Sequence, residues 1–342
     1  MMRASIRRCD VAAAGINVFG VTCRHILGHE CRLSITTNAS DGSSSTIIPS
    51  SVDNGSTTTP SVVVPGGVAI ITMKRHERKN AIGKQMRQEL FDAIAWCSRA
   101  STGDVRCVIL HSEVDRVFCA GADLKERKEM SVSEAESFVQ SLRDTFSAME
   151  DLPMPTISAI DGAALGGGLE LALATDIRIA GAKATLGVPE VGLGILPGAG
   201  GTFRLPRAVG LSTAAKLAFT GQPIGATEAL RIGLVQEVAS SSGPTTAPSS
   251  TSQNAPTAAV ITASPPPLSS MANAFLMAGA IARNGPLAVR ACKGSLCQGY
   301  GQSRAAAMVT ERKAYDIVLA SQDRLEGLKA FAEKRPPKYT GK

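Results

Sequence analysis

The segment IDGAALGGGLELALATDIRIA (160–180) decides the fold of this chain. It begins at the end of TISAI (156–160), passes through a glycine-rich turn into LELALA, and leaves through DIRIA (176–180). An apolar run, a turn of small residues, a short apolar helix over 167–175 and a second run with β-branched residues form a strand–helix–strand unit. That alternation argues for an α/β fold. Glu170 falls one turn into the helix opened by residues 166–168. Its neighbours are apolar on nearly every side, so the pattern predicts a buried carboxylate, which is costly without a purpose. An acid near a helix start also complements the helix dipole, so position alone does not establish chemistry.

Outward from this unit the same alternation continues. VAIITM (68–73) and CVILHS (107–112) read as buried strands. A helix is expected over 84–97, with Met86, Leu90, Ile94 and Cys97 on one face, and another over 133–149. The tail predicts helices over 271–283, 303–319 and 323–334, the last ended by Pro336 and Pro337. No internal repeat is evident.

FCAGADL (118–124) is a second turn of small residues that follows a strand. Turns of this kind present backbone N–H groups to a ligand without side-chain obstruction. Two such groups converging on one oxygen would form an oxyanion hole, although either turn alone serves equally as a packing turn. Glu190, in LGVPEVGLGILPG (186–198), is the second acid set among apolar residues and glycines. GILPGAGG (194–201) lacks the G-x-G-x-x-G and G-x-x-x-x-G-K-[ST] patterns of nucleotide sites and reads as a turn where backbones pass closely. No G-x-S-x-G elbow occurs, and none of His25, His29, His76 or His111 sits in a metal motif.

The chain has 342 residues, 44% hydrophobic, ample for a sizeable core. Its net charge of +7 suits nucleic acid, a membrane surface or an anionic substrate, but reads first as a solvated surface plus a basic leader, and the 4% aromatic content argues against a base-stacking nucleic-acid module. Eight cysteines without a CxxC pair read as small core residues of a reducing compartment. No uninterrupted apolar stretch is long enough for a transmembrane helix.

Residues 1–60 carry Arg3, Arg7, Arg8, Arg24 and Arg32, no lysine, few acids and many Ser and Thr. That composition reads as an organelle transit peptide, with the mitochondrial matrix as the expected destination. Cys23, His25, His29 and Cys31 within it do not have a standard zinc spacing. Residues 239–270 are a low-complexity Ser/Thr/Pro/Ala insertion. The folded part is therefore a core over 61–238 and a C-terminal helical region over 271–342.

IDGAALGGGLELALATDIRIA, FCAGADL, GVPEVGLGILPGAGGTFRLPRAVG and RLEGLKAFAEKRPPKY resemble, in order and spacing, the crotonase (enoyl-CoA hydratase/isomerase) superfamily from about residue 66 to 340. FCAGADLKER and EGLKAFAEKRPPKYTGK most resemble its methylglutaconyl-CoA hydratase branch, which acts in leucine catabolism and includes an AU-rich RNA binder. The resemblance implies a spiral of ββα repeats with a C-terminal region used in trimer assembly, and a homotrimer or homohexamer. It implies Glu170 and Glu190 as the acid–base pair, and the N–H groups of Ala120 and Gly167 as the oxyanion hole. Substrate contacts are implied at Ala81, Ala120, Gly121, Ala122, Asp123, Leu124, Gly166, Gly167 and Pro189. No metal or cofactor is expected, since coenzyme A enters as part of the substrate.

The expected reaction is reversible addition of water to an enoyl-CoA, 3-methylglutaconyl-CoA first and a short-chain enoyl-CoA second. Arg78, Lys79, Lys334 and Arg335 are candidates for the coenzyme A phosphates, and Lys125 and Arg127 for a free acyl carboxylate. RNA binding is disfavoured, because Gln88, Glu89 and Asp92 interrupt the basic residues of the first long helix.

Overall fold

The structure, a computed structural model, describes residues 67–239 and 269–342, together with the backbone of three strands before them. The expected transit peptide and low-complexity insertion therefore lie almost wholly outside the described residues, as does the cluster from Cys23 to Cys31. Near the N-terminus, β1 (Asn17–Phe19) pairs antiparallel with β2 (Thr36–Asn38).

Two sheets carry the core. The larger holds β3 (Thr58–Val64), β4 (Val68–Met73), β5 (Cys107–Ser112), β7 (Thr156–Ile160), β9 (Ile177–Gly181) and β12 (Glu237–Ala239). Its order is β12-β9-β7-β5-β4-β3, parallel throughout except for the antiparallel edge strand β3. The smaller holds β6 (Val117–Cys119), β8 (Ala163–Leu165), β10 (Thr185–Gly187) and β11 (Ile224–Gly225), in the order β11-β10-β8-β6. The chain passes from β5 to β6, from β7 to β8 and from β9 to β10, visiting each sheet in turn before a helical segment. This is the expected spiral of ββα repeats.

The helices are α1 (Lys84–Arg99), α2 (Leu124–Lys128), α3 (Val132–Glu150), α4 (Gly167–Leu173), α5 (Gly201–Val209), α6 (Leu211–Thr220) and α7 (Ala226–Arg231), followed by α8 (Ser270–Ala282), α9 (Pro286–Gly299), α10 (Arg304–Leu319) and α11 (Gln322–Ala332). The large sheet is buried on both faces, which explains why VAIITM is apolar with little alternation and why every residue of TISAI, Thr156 and Ser158 included, is buried. Val68, Ile70, Ile109, Ile157 and Ile179 meet Ala274, Ala278 and Ala282 of α8 on one side. Ala69, Ile71, Met73, Val108 and Leu110 join the main core with α1 and α3 on the other. The expected face of α1 is the buried one, with Ala93 added. Ser131 and Glu134 close a reciprocal capping box at the start of α3.

Helix α9 was not foreseen. Gly294 and Gly299 weaken its helical signal, and long-range contacts supply what propensity does not. Arg290 donates to Val105 O at 3.1 Å, and Lys293 pairs with Asp176 at 2.8 Å. Cys97, Cys107 and Cys119 are core residues as expected, but Cys292 and Cys297 on α9 are exposed. Helix α10 buries no residue, and it leaves Met308, Val309, Tyr315 and Ile317 open. No described helix is long and apolar enough to cross a membrane.

Candidate active site

The first turn leaves β6 at Cys119 and lies along residues 79–82. Ile82 N–H donates to Gly121 O at 2.7 Å and Asp123 N–H to Ile82 O at 3.0 Å. Gly121 takes φ +98°, a left-handed value that glycine adopts without penalty. Asp123 then caps α2 by accepting from Lys125 and Glu126 N–H, and pairs with Arg75 at 3.2 Å. The turn is anchored from below by Asn80, which is fully buried and left-handed at φ 53°. Its amide donates to Ser112 Oγ at 2.8 Å and Phe118 O at 3.0 Å, and its carbonyl accepts Arg75 N–H at 2.8 Å. Nothing in the sequence singled out Asn80. Its one signal was that asparagine tolerates the left-handed conformation better than other residues with a Cβ.

The second turn links β8 to α4. Gly166 has φ 52° and ψ −125°, and its N–H donates to Gly187 O at 2.9 Å. The two turns touch backbone to backbone. A Cβ on Gly121 would lie 2.9 Å from Leu165 O and 3.4 Å from Gly167 N, and a Cβ on Gly167 would lie 3.5 Å from Ala122 N. Small residues are required here because backbone occupies the space that side chains would fill.

This contact corrects one expected role. Ala120 N–H donates to Lys79 O at 3.1 Å, so it holds the turn together and does not face a ligand. Ala122 N–H, two residues on, lies against Gly167. Neither Ala122 N–H nor Gly167 N–H has an acceptor among the described residues. Gly167 is the first residue of α4, where an N–H has no partner within the helix.

Glu170 is 3% exposed, and its Oε1 accepts Ala199 N–H at 2.8 Å and Gly201 N–H at 2.7 Å. The GILPGAGG turn is thus a cradle for this carboxylate, and a Cβ on Gly201 would come within 2.8 Å of Oε1. Burial, helped by the charge of Glu190, pushes the Glu170 pKa up to about 7 against the opposing pull of the two N–H groups and Arg204. Glu190 sits in the 3-10 turn Pro189–Leu193 and is 9% exposed. Burial raises its pKa as well. Its Oε2 is buried without a hydrogen-bond partner. Two buried carboxyls that repel one another favour a state in which one is protonated.

Of the remaining expected contacts, Gly121, Asp123, Gly166 and Gly167 are buried at the junction of the two turns, and Ala81 and Ala122 flank it half-buried. Pro189 begins the turn that carries Glu190, and Leu124 is 53% exposed. Lys79 is exposed beside the first turn and Arg78 is half-buried. Arg335 is less available than expected, since its guanidinium pairs with Glu326 and Glu333 at 2.6 Å. Lys125 is exposed and Arg127 half-buried.

An oxyanion-type N–H pair beside two buried carboxyls, on a ββα spiral, defines a crotonase-type acid–base site. Comparison with known proteins agrees. Residues 64–243 match the enoyl-CoA hydratase/isomerase family. A probable mitochondrial enoyl-CoA hydratase 2 of Arabidopsis thaliana is 44% identical, over 80% of this chain and 82% of that protein. The mitochondrial methylglutaconyl-CoA hydratase of Homo sapiens is 40% identical, over 80% of this chain and 74% of that protein. The crystal structure of an enoyl-CoA hydratase from Bacillus anthracis superposes with a TM-score of 0.73 at 37% identity, covering 84% of this chain and all of that one. The chain belongs to the enoyl-CoA hydratase/isomerase family. Its activity is of the enoyl-CoA hydratase type, that of a hydro-lyase.

Proposed function

We propose that this enzyme adds water reversibly across the α,β double bond of 3-methylglutaconyl-CoA, giving 3-hydroxy-3-methylglutaryl-CoA. The observation that carries the chemistry is the pair Glu170 and Glu190, both buried, beside two unengaged N–H groups. Ionised Glu170 holds a water through Oε2, which accepts no bond among the described residues, and takes its proton as the water oxygen attacks Cβ. Protonated Glu190 delivers its proton to Cα. Negative charge gathers on the thioester oxygen, and Ala122 N–H and Gly167 N–H stabilise it. Removing one such donor typically costs about 3–4 kcal/mol of barrier.

The choice of acyl group rests on the methylglutaconyl-CoA hydratase relatives. A second reading, a general short-chain enoyl-CoA hydratase, is favoured by the higher identity of the plant relative. Comparing kcat/KM on crotonyl-CoA and 3-methylglutaconyl-CoA decides between them. A preference for crotonyl-CoA would remove the first reading. Glu170→Gln and Glu190→Gln should each lower kcat by orders of magnitude in a folded protein, and near-normal turnover by both would overturn the mechanism.

The leader composition and the mitochondrial relatives support a mitochondrial location. A homotrimer or homohexamer is the expected assembly, and the open apolar face of α10 is a surface for it. RNA is not the expected partner. On α1, Gln85 pairs with Glu89 and Gln88 with Asp92, which leaves a face of mixed sign.

A further inference from the structure

Arg204 lies on α5, 7% exposed, outside every contact discussed for substrate. Its guanidinium folds back across Gly200, which sits at φ 107° and has no room for a Cβ beneath it. Nη1 donates to Ala199 O at 3.1 Å. Nε donates to Glu150 Oε2 at 2.8 Å, Nη2 stands 2.7 Å from that same oxygen, and Nη2 also donates to Ser147 Oγ at 3.3 Å. Its own N–H donates to Gly200 O at 2.8 Å. One residue further back, Arg143 of α3 donates to Gly198 O at 2.6 Å. The carbonyls of the turn that grips Glu170 are therefore held by Arg204 of α5, itself anchored to the end of α3, and by Arg143 of α3, while the Ala199 and Gly201 amides reach the carboxylate. Ala199 is gripped on both sides: its C=O by Arg204, its N–H by Glu170 Oε1.

We propose that Arg204 is a positioning residue for the hydration step: it fixes the Ala199 and Gly201 amides that orient Glu170, and it places a cation behind them. Two N–H bonds to one carboxylate oxygen set the direction of the other, the oxygen that holds the water. An arginine anchored through a carboxylate is suited to this, because its planar fork reaches Glu150, Ser147 and Ala199 O together. The groups that bear on Glu170 are few. Burial is the largest influence and raises its pKa, the Gly201 N–H lowers it, Glu190 from the facing 3-10 turn raises it, and the Ala199 N–H and Arg204 lower it. On β6, the Cys119 thiol is pushed up to about 12 by burial and stays neutral. Glu150 faces Arg204 and not Glu170.

The inference rests on the hydratase reading, and the test separates the two. Crotonyl-CoA hydration is measured from pH 5 to 9 with the full-length wild type, Glu170→Gln, Arg204→Gln and Arg204→Lys. Arg204→Gln should lower kcat about 10- to 100-fold, as expected when a catalytic group is misplaced, with KM within about threefold. It should also move the acidic limb of the kcat profile up by about half to one pH unit, because a cation that favours the ionised carboxylate is lost. Arg204→Lys keeps the charge but not the fork. Its limb should stay in place, with kcat about tenfold down. A limb unmoved in Arg204→Gln, whatever its thermal stability, overturns the inference. Should Arg204→Gln yield no folded protein, Arg204→Lys decides, and wild-type kcat in that variant overturns it. No turnover of either crotonyl-CoA or 3-methylglutaconyl-CoA by the wild type defeats the hydratase reading and this inference with it, whereas normal hydration by Glu170→Gln leaves that reading standing and removes the role of Glu170, on which this inference depends. Loss of activity in Glu170→Gln alone defeats only the role of Arg204.

Discussion

Glu190 Oε1 stands 2.9 Å from where a Cβ on Gly166 would fall. The acid is thereby laid directly over the residue that turns the chain into α4, and Gly166 takes φ 52° and ψ −125°, a combination essentially closed to residues with a Cβ. The glycine thus serves both the backbone and the carboxyl group above it. Gly166→Ala should displace Glu190 and the neighbouring Gly167 N–H together. We expect kcat to fall about 100-fold or more and the melting temperature to drop. Steady-state kinetics alongside thermal unfolding checks this, and an unaltered kcat would be inconsistent with the placement.

The pH profile of the wild type follows from the two raised acids. Glu170 must be ionised to take a proton from water, and its pKa is pushed up to about 7 by burial first and by Glu190 after the opposing Gly201 N–H. Activity should therefore fall as pH drops through a value well above the ordinary carboxylate range of about 4.3. It should fall again at higher pH as the pair loses its shared proton, giving a bell whose limbs belong to the pair. A rate that stays flat down to pH 5 would contradict the arrangement.

The same raised pKa makes a stability prediction. Glu170 holds its proton more tightly in the folded state than in the unfolded one, so the unfolded chain gives it up first. Stability contributed by the protonated form is present below about pH 4.5 and is lost as pH rises through about 7. Gln at this position removes that loss. Glu170→Gln should be more stable than wild type at pH 8, by on the order of 1–3 kcal/mol, with a smaller difference at pH 5. Urea unfolding at both pH values and one protein concentration measures it. An equal effect at both would show that the carboxylate carries no ionisation penalty.

Asn80 supports the first turn without touching the acids. Asn80→Ala removes the partner of the buried Phe118 O and of the half-buried Arg75 N–H, at about 1–3 kcal/mol for an orphaned buried group, and puts alanine at φ 53°. Asn80→Gly relieves the backbone strain but not the lost bonds. Both variants should lose stability and kcat, with alanine the worse of the two by about 1 kcal/mol. Equal stability of the two would show that the left-handed backbone is not a factor.

How far the sequence reached is clearest at these residues. The runs at 68–73, 107–112, 156–160 and 176–180 were legible as strands because both faces of a parallel sheet are buried, which makes each strand rich in apolar and β-branched residues. Glu170 and Glu190 stood out because an acid among glycines and aliphatics is expensive. These are properties of neighbours in the chain, and the sequence determines them by itself. Helix α9, the small strands β6, β8 and β10, and the corrected N–H donor were not legible in the same way. The choice of Ala122 over Ala120 depends on which amide finds Lys79 O, a contact made across some 40 residues of chain. The grip of Ala199 and Gly201 on Glu170, and of Arg204 behind them, joins α4, the GILPGAGG turn and the end of α3. Hydrogen bonds of this kind leave no periodic trace, since each partner is chosen by where packing brings it. The sequence fixes which residues must be buried, turned or charged; the tertiary structure decides which of them meet.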